Sequence, residues 1–259
     1  MIDSTLNIAI HTDTIARILL LGTFSFLLSM LVTPIYTYLA YRFEWWKKPR
    51  QTDVTGRPAT VLKKLHAEKH KRLIPTMAGI IFVLCAGLTT FVFNLSRSET
   101  WLPLAAFAGA GAIGLLDDII NIRGTGKGVA GLSSRFKFLL TSLIALIGGW
   151  FFYFKLDVSS VFVPWVGNVH VGWFIIPLFI LVIISTANAV NISDGLDGLA
   201  GGLTAIAFGM YTIIALLEHR YGVAGFCMAV VGSLLSYTWF NIYPARFFMG
   251  DVGTPLLSL

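Results

Sequence analysis

Apolar runs of about 20 residues, the length needed to cross a bilayer's hydrocarbon core, alternate with short polar stretches along this chain. Candidate spans lie near Ala16 to Tyr41, Ile74 to Leu95, Trp101 to Ile122, Phe136 to Phe154, Trp173 to Val190, Leu199 to Leu217 and Val223 to Ile242, and an eighth begins near Gly253. Trp or Tyr edges many of them, as interfacial belts require. Between the fourth and fifth spans, Val161-Phe162-Val163-Pro164 and Val169-His170-Val171 flank Trp165 to Asn168, and the Gly167-Asn168 pair reads as the turn of a short external hairpin. No internal repeat or low-complexity tract stands out. The expected architecture is all-α, a polytopic transmembrane helix bundle with a short external β-hairpin, forming a single integral membrane domain over residues 1–259.

Composition agrees with this pattern. The chain is 56% hydrophobic and only 12% charged, where soluble domains are nearer 25%. Cys85 and Cys227 both fall inside apolar runs and read as small buried hydrophobes. Met1 to Thr14 carries Asp3 and Asp13 and lacks a basic start, so no cleavable signal peptide is expected and the first span stays as an anchor.

The net charge of +6 would suggest nucleic acid in a soluble protein. Here it is explained by topology instead. Fifteen of the 19 Lys and Arg residues follow the first, third and seventh spans, leaving Arg17, Arg97, Lys155 and Arg220 for the other side. The positive-inside rule makes the first side cytoplasmic and puts the N-terminus outside. The long basic segment Arg42 to Arg72 reads as a loop held at anionic headgroups. His66 and His70 within it have no third ligand nearby and read as an exposed pair.

That topology gathers Asp117, Asp118, Asp194, Asp197 and Asp251 on one membrane surface, although they are far apart in sequence. The richest stretch is Asn188 to Gly202, which interrupts an apolar run with two amides, two carboxylates and four glycines. Asn188, Asn191, Asp194 and Asp197 recur every third residue, so on a helix they form one drifting polar stripe. A carboxylate at the centre of a bilayer helix costs roughly 2.5–3.5 kcal/mol, and such a cluster therefore needs a polar partner, water or a cation. A polar turn accounts for one Asp-Gly pair but poorly for a repeat of oxygen ligands. Gly109, Gly111 and Gly114 in the third span read as sites of close packing, since no strand precedes them.

Paired carboxylates without a Cys/His set suit a hard cation such as Mg²⁺, which takes one or two carboxylates and substrate phosphates. Amides from Asn188 and Asn191, with Lys71, Arg135 and Lys137 nearby, would suit a diphosphate.

At Pro75-Thr76-Met77-Ala78-Gly79, Gly114-Leu115-Leu116-Asp117-Asp118, Asn188 to Ala200 and Phe248-Met249-Gly250-Asp251 the sequence resembles the polyprenyl-phosphate N-acetylhexosamine-1-phosphate transferases. The pieces occur in family order, and NAVNISDGLDGLA is the most specific. The resemblance implies Mg²⁺-dependent transfer of a sugar phosphate from a UDP-sugar donor to a polyprenyl phosphate acceptor at the lipid bilayer. In the muramoyl branch, which the pieces favour, phospho-MurNAc-pentapeptide passes to undecaprenyl phosphate, giving lipid I and UMP. It also implies that Asp251 is the foremost metal ligand, with Asp117 and Asp118 at the reacting phosphates. Asn191, Asp194, Gly195, Leu196 and Asp197 would line the nucleotide and sugar site, joined by Asn241 and by Phe248 stacking on uracil. Lys71 and Thr76 would border the site, Asn188 would support it and Lys137 would contact phosphate. A homodimer is allowed and no nucleic acid is expected.

The chain departs from the family at Ala78, where Gly is usual, at Arg72-Leu73-Ile74, and after Asp251. The family's His-rich loop and last spans are expected after Leu259, so the chain reads as C-terminally truncated, with a formed aspartate site but part of the substrate wall missing. The lipid phosphate has a second pKa near 6 and is largely a dianion at neutral pH. Direct in-line attack is therefore preferred, with Asp117 positioning it or finishing deprotonation; a covalent aspartyl-phosphate route is the alternative. Two rival functions are a UDP-GlcNAc transferase of the same family and a cation-coupled transporter. The second is disfavoured because these carboxylates fall at the ends of spans and not mid-span.

Overall fold

The structure, a computed structural model, describes residues 12–46, 74–123 and 134–253. Lys71, His66, His70, Lys127, the side chain of Arg135 and the onset of an eighth span after Gly253 lie outside the described residues. Among the described residues seven α-helices follow in order: α1 (Thr12–Arg42), α2 (Gly79–Phe93), α3 (Trp101–Arg123), α4 (Ser134–Phe154), α5 (Ile175–Ser193), α6 (Leu199–Leu217) and α7 (Tyr221–Asn241). Two strands, β1 (Ser160–Val163) and β2 (Gly167–His170), lie between α4 and α5. Six of the helical segments are long and apolar enough to cross a membrane. The protein is thus a helical bundle of multi-pass membrane character with a small antiparallel hairpin.

The exception is α2. Its expected span begins at Ile74, but the helix starts only at Gly79 and runs 15 residues, about 22 Å at 1.5 Å per residue. Pro75 explains the late start, because it cannot donate to a preceding turn and biases Ile74 away from helical geometry. Residues 74–77 are not helical, Met77 taking a left-handed φ of 73°, and the segment spends its backbone groups elsewhere. The Thr76 N–H donates to the Trp45 carbonyl at 2.7 Å, and Phe248 N–H donates to the Pro75 carbonyl at 2.9 Å. Ala78 N–H donates to Phe248 O at 3.0 Å and Gly79 N–H to Met249 O at 2.9 Å. Ala78 has φ −64°, ordinary helical backbone, which explains why a methyl is tolerated there.

The hairpin also differs in its turn. Val166 N–H donates to Val163 O at 3.1 Å, and Asn168 pairs with Phe162, so the chain reverses at Pro164-Trp165 and not at Gly167-Asn168. Pro164 supplies the φ that the first central position wants, and Trp165 takes the left-handed value of 73° at the second.

Helix α7 is the post of the bundle: 67% of its apolar window is buried, against 11% for α4 and α5. It packs most extensively on α1 and α6 and also on α2. Contact with α1 is close where Gly232 meets the backbone of Gly22. One apolar core joins α1, α2, α3, α6 and α7, through Phe82, Phe107, Phe226, Val230, Leu234 and Tyr237 among others. Cys85 and Cys227 are free and buried in it, as their apolar surroundings imply. Phe247 belongs to the same core. Its ring lies 5.5 Å from Tyr36, 5.9 Å from Tyr237 and 5.8 Å from Phe240, which pins the chain after α7 to the bundle.

Candidate active site

The last turns of α3 present Gly114, Asp117, Asp118 and Asn121 on one side, at the three- and four-residue spacings that bring helical side chains together. The segment 248–253 lies across them. Gly114 has no side chain to separate them: a Cβ there would run into the carbonyl of Asp251. Gly114 thus serves close packing, against a loop, whereas Gly109 faces open space with nothing within 4 Å.

Asp117 and Asp118 are adjacent and both buried, yet they point to different partners. The carboxylate of Asp118, 0% exposed, accepts the N–H of Val252 at 2.9 Å. Gly250 beside it adopts φ +74°, and a Cβ there would stand 2.5 Å from Asp118 Oδ2 and 2.8 Å from the Met77 nitrogen, so this crossing requires glycine. Asp117 forms an ion pair with Lys137 from α4, and the same ammonium lies 3.4 Å from Asp251 Oδ1. Asn121 donates Nδ2 to Asp117 Oδ2 at 3.1 Å and to Asp251 Oδ2 at 3.3 Å. Three elements therefore place two carboxylates, an ammonium and an amide within mutual reach.

Asp117, Lys137 and Asp251 open on a cavity of about 370 Å³ between α3, α4 and α5. Asp117, Lys137, Asn188, Asn191 and Asp251 supply its polar wall, and Ile113, Phe138 and Ile184 are among its apolar residues. The volume is that of a small-molecule cleft.

The remaining expected residues sit nearby in other roles. Helix α5 ends at Ser193, so the three-residue stripe breaks: Asn188 and Asn191 stay on the helix while Asp194 caps it, its N–H donating to Val190 O at 3.1 Å. Asn188 turns its amide N–H back to Ile184 O at 2.8 Å. Asp197 belongs to the turn before α6 and accepts the Ala245 N–H at 3.3 Å. Asp194 and Asp197 are absent from the cavity wall. Gly195 and Leu196 are exposed in the same turn. Asn241, 1% exposed, accepts the N–H of Gly198 at 2.8 Å and donates to Phe247 O at 2.8 Å. Thr76 is buried, its carbonyl receiving the Tyr36 hydroxyl and its own hydroxyl donating to Trp45 O at 3.4 Å. Phe248 is half-buried, between the buried Phe247 and Met249.

Sequence reasoning missed Asn121, Phe247 and Tyr36. Asn121 had a signal in its one-turn spacing from Asp117, whereas Phe247 and Tyr36 read as ordinary apolar positions.

Compared with known proteins, residues 100–259 match the family model of glycosyl transferase family 4. Among curated relatives, a phospho-N-acetylmuramoyl-pentapeptide-transferase of Chloroflexus aggregans is 34% identical over 253 residues, covering 95% of this chain and 66% of the relative. That of Clostridium novyi is 34% identical over 237 residues, 90% of this chain and 69% of the relative. That of Listeria monocytogenes is 36% identical over 200 residues, 75% of this chain and 60% of the relative. The chain spans about two thirds of the length of the relatives it matches.

Proposed function

The chain belongs to glycosyl transferase family 4, and from that premise we propose that it transfers phospho-MurNAc-pentapeptide from a UDP-linked donor to a polyprenyl phosphate at the bilayer, releasing UMP, as a step of peptidoglycan synthesis. The observation that carries this reading is the cavity in which Asp117, Asp251, Lys137, Asn188 and Asn191 converge from elements distant in sequence.

The donor set fits Mg²⁺. Among the described residues no three His, Cys, Asp or Glu side chains form a closed metal cage. Mg²⁺ does not need one, since it is commonly held by one or two carboxylates plus substrate phosphates and waters. Asp117 and Asp251 would hold it, and Lys137 already brings a positive charge to both of them. Bound there, the metal would withdraw charge from the diphosphate and stabilise the departing phosphate. Asp118, turned to Val252, acts as a brace for the segment bearing Asp251.

The protein's own groups do the positioning. Lys137, with a side chain 38% exposed, can reach a phosphate oxygen as well as the two carboxylates. Asn188 and Asn191 offer amides to the sugar or diphosphate from the opposite wall. An oxygen of the acceptor phosphate bonds to the sugar-linked phosphorus while the bond to the UMP oxygen breaks, and UMP leaves with the electron pair. The acceptor is already largely a dianion at neutral pH, so Asp117 has little deprotonation to perform. Asn241 and Thr76 hold backbone around the site. Gly195, Leu196 and Phe248 remain candidates for the nucleotide side. The site-side ends of the helices carry Arg42, Arg123, Lys137 and Arg246, which supports a cytoplasmic site and an outside N-terminus.

Exchange of radiolabelled UMP into the donor tests this reading. Exchange with UDP-MurNAc-pentapeptide is expected, and exchange with UDP-GlcNAc alone would assign the chain a different sugar.

A further inference from the structure

We infer that Asn121 is a positioning residue that locks the carboxylates of Asp117 and Asp251 into one metal-binding arrangement. The inference rests on the metal reading of these two aspartates given above, and adds a residue which that reading does not use.

Two levels of placement can be separated. The backbone at Asp251 is set by its contact with Gly114 and by the Val252 N–H bond to Asp118. Neither fixes the side-chain rotamer of Asp251. Groups touching its carboxylate contribute to that, among them Lys137 at 3.4 Å and Asn121 at 3.3 Å. Lys137 is a long side chain with freedom to turn toward a phosphate, so its hold is weak. Asn121 is short, 7% exposed and one turn from Asp117 on the same rigid helix.

Its chemistry suits the task. Ionised carboxylates only accept hydrogen bonds, so the amide nitrogen and not the oxygen must face them. That nitrogen carries two protons, one for each carboxylate, and Nδ2 reaches Asp117 Oδ2 and Asp251 Oδ2 together. An amide does this without positive charge, so it need not be displaced when a cation arrives. A serine at this place would have a proton for only one partner. Groups of this kind behind metal ligands typically change affinity 10- to 100-fold when removed.

The test is binding of Mn²⁺ alone, followed by the EPR signal of the free ion, to the purified chain in detergent. Asn121→Leu should raise the dissociation constant about tenfold or more. Asn121→Ser should raise it by a smaller factor. In UMP-forming assays the loss should appear as a higher metal requirement, with turnover recovering at saturating metal, which a general packing defect would not produce. An unchanged Mn²⁺ constant in folded Asn121→Leu overturns the proposal, and if that variant fails to fold, an unchanged constant in Asn121→Ser does so. Failure of the unaltered chain to bind Mn²⁺ would overturn the metal reading together with it, whereas binding without UMP formation would count only against the proposed reaction.

Discussion

Asp118 and Val252, 134 positions apart in the chain, are joined at 2.9 Å by a hydrogen bond from a backbone N–H to a buried carboxylate. The bond fastens the segment carrying Asp251 to the end of α3. Asp118→Ala strands that N–H in the interior, at a cost of about 1–3 kcal/mol. A lower thermal unfolding midpoint is expected, together with a loss of UMP formation. Asp118→Asn keeps an acceptor oxygen and should retain more stability than the alanine variant. Equal midpoints for the two variants would contradict the bracing role.

Glycine at 114 makes a sharper test, because no functional group is removed. A methyl there meets the Asp251 carbonyl, so Gly114→Ala must push the segment off α3. Overpacking of this kind costs about 1–3 kcal/mol. Transfer activity should fall well beyond the stability change, while Gly109→Ala, which faces open space, should leave both near the unaltered values. The pair is compared by unfolding midpoint and UMP release.

Lys137 offsets part of the negative charge of Asp117 and Asp251. Lys137→Met removes both that compensation and a competitor for any cation. Added Mg²⁺ should therefore raise the unfolding midpoint of the variant by more than it raises that of the unaltered protein, while transfer falls. Differential scanning fluorimetry with and without the metal reads the difference, and equal shifts would contradict it.

Cys85 and Cys227 are buried, so they should stay unlabelled in the folded protein. Against that silent background, Trp165→Cys at the hairpin tip and Arg246→Cys at the site end report on opposite sides of the membrane. An impermeant maleimide added to intact cells should label the first and spare the second. The reverse pattern would invert the topology.

The architecture was legible because a transmembrane span declares itself by length and hydropathy alone. The six long helices and the hairpin follow from apolar runs and β-formers in that way. The short α2 was less legible: Pro75 marks the late start, but nothing in Ile74 to Gly79 announces the backbone pairing with Phe248 and Met249 that ties this segment to the site. The polar stripe from Asn188 to Asp197 shows a limit of periodicity. Spacing alone did not reveal that the helix ends at Ser193, where Gly195 and Gly198 loosen the chain and Gly198 turns left-handed. The aspartates were visible as expensive residues in an apolar chain, but their division of labour was not. Which of two neighbouring carboxylates faces a cavity and which faces a backbone N–H depends on where a segment 130 residues away crosses the helix.

Turnover by Asp251→Asn measures the central claim most directly. With UDP-MurNAc-pentapeptide, undecaprenyl phosphate and Mg²⁺ supplied, UMP release should drop by roughly a hundredfold or more relative to the unaltered chain, because charge stabilisation by a metal is worth several kcal/mol in such a step, while the unfolding midpoint changes little. UMP release that is undiminished in a folded Asp251→Asn protein would contradict the account.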